Sequence, residues 1–79
     1  MSTAKRHLEK AVSEFQDWKK RSAKVKEGTA SYFESRFFAT RSLQESYRQF
    51  ALALVHASPE EVPVVKAAIS AYDREAYGV

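Results

Sequence analysis

The chain has 79 residues, a net charge of +3 and an ordinary composition, with 44% hydrophobic and 29% charged residues. This length fits one small domain, and two glycines with two prolines leave little room for the turns of an all-β fold. Cysteine is absent, which excludes disulfides and thiolate metal sites and suits a cytoplasmic location.

A first helix is predicted over about residues 3–27. Small and apolar residues recur there at spacings of three and four, the pattern of a helix that packs on a neighbour at a shallow angle. Gly28 is the expected end of the helix, because glycine takes the left-handed C-cap conformation at little cost. The predicted core stripe consists of Leu8, Ala11, Phe15, Trp18, Ser22 and Val25.

A second, longer helix is predicted over about residues 31–57. Ser31 and Glu34 have the spacing of a capping box at its start. The short connection after Gly28 requires the second helix to fold back on the first. Its apolar arc covers nearly half the circumference, which suits a central helix with two neighbours. The arc contains Tyr32, Phe33, Phe37, Thr40, Leu43, Tyr47, Phe50, Ala51, Leu54 and Val55.

The opposite side of this helix carries two apolar residues, Phe38 and Leu52, among polar ones. They share that side with Arg41 and Glu45, and also with Glu34, Gln49 and His56. Apolar residues on a polar face of a small domain predict a contact surface for another protein or a dimer mate. Tyr77 in the third helix is a further candidate for such a contact.

A third helix is predicted over about residues 59–77. Ser58 is a suitable N-cap, with Pro59 at the first helical position. Pro63 lies one turn further on and removes a backbone hydrogen bond, so the alternative is a regular helix that begins nearer Val62. Gly78 is the expected stop signal.

These elements predict an all-α fold. We expect one domain over residues 1–79, an antiparallel three-helix bundle with up-down-up connectivity and a long central second helix. Whether a dimer mate completes the bundle is left open by the sequence.

No arrangement of residues predicts catalysis, a metal or a cofactor. The chain has no glycine-rich phosphate loop and no HExxH motif. His7 and His56 would approach each other if the first two helices are antiparallel, but the sequence favours solvated or partly packed histidines. The longest apolar run covers only residues 50–55. It is far shorter than the roughly 20 residues that span a bilayer, which argues against membrane insertion. The first residues also lack the apolar core of a signal peptide. A non-enzymatic protein is therefore expected.

The basic residues are concentrated in the first part of the chain. Residues 1–48 contain eleven of the thirteen Lys and Arg residues. Such asymmetry can favour an acidic partner or phosphate groups, and the candidates for those contacts are Arg6, Lys10, Lys20, Arg21 and Lys24. The leading hypothesis is a protein-binding module, such as an adaptor, a subunit, or an inhibitor or regulator. The alternative is a small nucleic-acid-binding regulator that uses the positive face of the first helix.

Overall fold

In a computed structural model the chain forms three helices, α1 (Thr3–Glu27), α2 (Tyr32–His56) and α3 (Val62–Tyr77). The structure describes residues 2–27 and 32–78, without the side chains of residues 24–27 and 32–38. No strand occurs in these described ranges. The predicted all-α class is therefore confirmed, whereas the capping box at Ser31 and the expected stop at Gly28 lie outside the described residues.

α1 and α2 form the main helix pair, because α2 packs far more extensively on α1 than on α3. The buried residues of α1 include Ala11 and Phe15 of the predicted stripe, and also Ala4. On α2 the buried seam repeats at spacings of three and four. It consists mainly of small residues, Ala39, Ser42, Ser46, Gln49 and Ala53.

Ser46 shows how closely these two helices approach. Its side chain is completely buried, and its hydroxyl donates a hydrogen bond of 2.8 Å to the backbone carbonyl of Ala11. A side chain this short reaches the backbone of a neighbouring helix only when the two helix axes lie near each other. Small residues at the seam permit that approach, and the hydrogen bond satisfies the buried hydroxyl.

The buried face of α2 is consequently rotated from the one that hydrophobicity predicts. Phe50 is buried as expected, but Val55 is 75% exposed, whereas Gln49, assigned to the polar side, is only 6% exposed. The prediction was also wrong for Thr40 and Ala51, which are exposed. The physical reason is that close packing against α1 selects small residues, so large side chains are displaced toward α3 and the flanks. Leu43, Tyr47 and Leu54 lie on those flanks, half-buried.

α3 is held on this helix pair by Tyr72. The Tyr72 ring lies 4.7 Å from the Phe15 ring of α1 and 5.6 Å from the Phe50 ring of α2, measured between centroids. These are favourable tilted aromatic contacts. Tyr47 also donates a hydrogen bond to the Asp73 carboxylate. Burial and this bond, in that order, raise the pKa of Tyr47 above its ordinary value.

The ends of α3 agree with the second of the two predicted options. The helix begins at Val62, not at residue 59, and Pro63 falls in its first turn, where the missing N–H is not needed. Ser58 is not the cap of a regular helix; its carbonyl instead closes a turn by accepting hydrogen bonds from Glu61 and Val62. Gly78 ends the helix in the left-handed conformation, with φ 68°.

Candidate functional site

An open groove runs along the α1–α2 pair on a side that α3 does not cover. The residues through which α3 contacts the pair, such as Phe15, Lys19 and Phe50, do not line it. Its volume is about 610 Å³. We call it the hairpin groove, and it is lined by Glu14, Asp17, Arg21, Arg41, Ser42, Gln44, Glu45 and Arg48.

The charges of the hairpin groove are balanced. Its lining includes three carboxylates and three guanidinium groups. The carboxylates belong to Glu14, Asp17 and Glu45, and the guanidinium groups to Arg21, Arg41 and Arg48. Such a lining gives no net attraction to a polyanion. It does offer charge-assisted hydrogen bonds to a ligand that carries both signs.

Glu45 is fixed in this groove by two neighbours from its own helix. Arg48 donates two hydrogen bonds to it, of 3.0 and 3.1 Å, and the Gln49 amide donates a third of 3.0 Å. The Arg48 bonds first, and then the Gln49 bond, lower the pKa of the Glu45 carboxyl. Glu45 therefore stays charged at neutral pH and is held in one orientation.

A polar network continues from the groove to the end of the helix pair. His7 Nδ1 lies 2.7 Å from the Gln49 side-chain oxygen. The His7 ring stacks on the His56 ring, with centroids 5.4 Å apart and planes inclined by 15°. The two histidines thus lie together, as antiparallel helices would allow. Sequence reasoning did not identify Gln49 as their link, because a glutamine on a polar face resembles a solvated residue.

The predicted partner-binding residues fall into two regions. Arg41 and Glu45 line the hairpin groove, and Leu52 on the same helix is half-buried. Tyr77 is 65% exposed and stacks on Tyr47, with the ring centroids 6.4 Å apart. Tyr77 therefore belongs to the α3 side and not to the groove. The side chain of Phe38 lies outside the described residues.

The residues predicted to contact phosphate groups also fall into different regions. Arg6, Lys10 and Lys20 are exposed on α1, whereas Arg21 is half-buried and lines the hairpin groove. The side chain of Lys24 lies outside the described residues. Arg6, Lys10 and Lys20 therefore form an exposed basic row on α1, whereas Arg21 lies in a groove that also contains carboxylates.

Comparison with known proteins adds no relative: no protein-family model, curated protein or solved structure matches this chain. Among the described residues, no group of three or more His, Cys, Asp or Glu side chains could hold a metal ion. In that same part of the chain, no helix has the length and apolarity needed to cross a bilayer.

Proposed function

We propose that this chain is a non-enzymatic protein-binding module, and that the hairpin groove is its docking surface. The observation that supports this proposal is the open, charge-balanced groove between α1 and α2. On another side the same helix pair already accepts a helix, α3. A groove between two helices is suited to receive a further helix in the same manner.

The lining of the groove indicates the kind of partner. Three guanidinium groups and three carboxylates line it, and Glu45 is held in place by Arg48 and Gln49. The best complement is a helical segment that carries both acidic and basic side chains, because each charge then meets its opposite. An adaptor, a subunit of an assembly, or an inhibitor or regulator would fit this description.

The proposal includes the finer features predicted from the sequence. The contacts His7–Gln49 between α1 and α2 and Tyr47–Asp73 between α2 and α3 favour the up-down-up arrangement with α2 central. A second copy of the chain is one occupant of the groove, which would give a homodimer. The proposed location is the cytoplasm, with which a cysteine-free sequence is compatible.

The alternative function is nucleic-acid binding through α1. It is supported by the exposed row of Arg6, Lys10 and Lys20. Phosphate binding through such a row should weaken steeply with salt. Two carboxylates interrupt the basic character of the same helix, because Glu9 and Asp17 are also exposed. For this reason the protein-binding function is preferred.

Capture of partners by two matched variants tests the choice. Arg41→Glu places a negative charge in the groove, whereas Lys20→Glu makes the same change of charge at an exposed position outside it. We expect a partner protein to be retained by the original chain and by Lys20→Glu, and to be lost by Arg41→Glu. If Arg41→Glu retained the partner protein as well as the original chain does, the assignment of the hairpin groove as the docking surface would be contradicted. Loss of salt-sensitive nucleic-acid binding in Lys20→Glu alone would favour the alternative.

A further inference from the structure

Three charged side chains of the hairpin groove have no partner within the part of the chain that the structure describes. Glu14, Asp17 and Arg41 form no hydrogen bond and no ion pair there, whereas Glu45 and Arg48 of the same groove are bonded to each other. Asp17 and Arg41 are exposed, and Glu14 is half-buried. Opposite charges on another molecule can pair with these three groups without first breaking a bond inside the chain.

Two contacts show which levels of α1 and α2 face each other. The Ser46 hydroxyl bonds to the backbone of Ala11, and the Gln49 side chain bonds to His7. A step back along α1, from Ala11 to His7, thus corresponds to a step forward along α2. The same relation, continued in the other direction, gives the levels of the charged residues in the groove.

The unpartnered charges lie at one level but on different helices. Arg41 precedes Ser46 by five residues on α2, which is about 7.5 Å along the helix axis. Glu14 and Asp17 follow Ala11 by three and six residues on α1, about 4.5 and 9 Å along the axis in the same direction. Across the groove, the level of Arg41 is therefore between those of the two carboxylates.

Two-fold symmetry offers two ways to cover the groove with a second copy of the chain. An axis parallel to the helices keeps every residue at its level and places α1 of each copy on α2 of the other, so that Arg41 meets Glu14 and Asp17 of the other copy. An axis that crosses the helices at the centre of the groove places α1 on α1 and α2 on α2. Carboxylates then face carboxylates, and Arg41 faces the same residue of the other copy. Electrostatic complementarity selects the parallel axis.

We propose that the occupant of the hairpin groove is a second copy of this chain, in a two-fold dimer whose axis runs parallel to α1 and α2. The two helix pairs then form a four-helix bundle, a common packing arrangement. α3 remains outside the contact, because none of the residues that line the groove belongs to it. The dimer rests on the proposed docking function, since it names the partner of the same groove.

Two variants with complementary changes of charge test the dimer. Each contact occurs twice in a two-fold dimer, so Arg41→Glu alone or Asp17→Arg alone places like charges together at both. We expect sedimentation velocity at about 50 mM salt to show a dimer of the original chain and a dissociation constant at least about tenfold higher for either variant. An equimolar mixture of the two variants should dimerise again, because each contact of the mixed dimer joins opposite charges at positions 17 and 41.

Two further variants are matched controls. Lys20→Glu and Glu9→Arg make the same changes of charge at exposed positions of α1 that do not line the groove. Both should dimerise like the original chain. Far-UV circular dichroism checks that every variant keeps its helices, and recovery of the dimer in the mixture shows in addition that both groove variants are folded.

Three results would overturn the dimer. They are a monomeric original chain at about 0.5 mM protein, an unchanged dissociation constant in Arg41→Glu, and a mixture of the two folded groove variants that stays monomeric. The capture of partners separates this failure from that of the docking function. If the chain is monomeric and Arg41→Glu loses a captured protein, the groove binds a different partner and only the second copy is excluded. If Arg41→Glu changes neither capture nor dimerisation, the groove is not the docking surface.

Discussion

Tyr72 is a residue of α3 that contacts both other helices. It is half-buried, and its ring contacts Phe15 of α1 and Phe50 of α2 with centroid distances of 4.7 and 5.6 Å. Full burial of a large apolar side chain stabilises a fold by about 1.5–3 kcal/mol. Half-burial of Tyr72 contributes less stabilisation than this, and each aromatic pair adds about 0.5–1.5 kcal/mol of stabilisation. Tyr72→Ala should therefore lower the free energy of unfolding by about 2–5 kcal/mol.

That loss is large for a chain of this size. Domains have roughly 0.05–0.15 kcal/mol of stability per residue, which gives about 4–12 kcal/mol here. We expect urea unfolding, followed by far-UV circular dichroism and by Trp18 fluorescence, to show the shift. Trp18 is a suitable probe because it packs 5.1 Å from Phe15.

Tyr72→Phe is the matched control. The described contacts of Tyr72 are made by its ring, so removal of the hydroxyl should cost under about 1 kcal/mol. The reasoning would be refuted if Tyr72→Ala cost less than about 1 kcal/mol as well. α3 would then contribute little to the stability of the helix pair, and the aromatic contacts would not hold it in place.

Three further substitutions test the packing. Ser46→Leu should lower the free energy of unfolding, measured in urea, by about 1–3 kcal/mol. The reason is that the buried seam against Ala11 has no room for a larger side chain. A variant more stable than the original chain would contradict the close approach of α1 and α2. Tyr47→Phe should reduce the loss of stability that occurs as pH rises above about 10. Because the pKa of Tyr47 is raised, its stabilising contribution is complete below the ordinary tyrosine pKa of about 10 and is lost as pH rises further. If the free energy of unfolding of the variant depended on alkaline pH as that of the original chain does, the role of the bond to Asp73 would be contradicted. Val55→Ser should change stability by no more than about 0.5 kcal/mol, since Val55 is 75% exposed; a loss above 1 kcal/mol would show that this residue is packed after all.

Sequence reasoning performed best where local chemistry decides the outcome. Helix lengths follow from periodicity, and the stop at Gly78 follows from the backbone freedom of glycine. For the start of α3 the sequence predicts residue 59 with Val62 as the alternative, and the helix begins at Val62. These effects act within a few residues, so they can be recognised without knowledge of the partner helix.

The orientation of α2 could not be predicted in the same way. Hydrophobicity assigned Val55 to the core and Gln49 to solvent, because it ranks residues by apolar area. The packing against α1 instead favours small residues such as Ser46, and Gln49 is buried because His7 and Glu45 satisfy its amide. Both effects depend on a neighbouring helix, which the local pattern does not contain.

The candidate site was predicted in part for a related reason. Arg41 and Glu45 were identified because they share a face with apolar residues, and both line the hairpin groove. The contributions of Glu14 and Asp17 come from the other helix. Their role emerges only when the pairing register of α1 and α2 is known.

Photo-crosslinking at the groove is the most direct test of the central claim that the groove is the docking surface. A photoreactive residue in place of Gln44 lies in the hairpin groove, whereas one in place of Gln16 is exposed on α1 outside it. We predict that the Gln44 position forms a specific crosslink to one protein species, either a second copy or another protein, and that Arg41→Glu abolishes it. The Gln16 position should form no such crosslink. Crosslinks of equal yield from both positions, or a Gln44 crosslink that persists with Arg41→Glu, would contradict the claim.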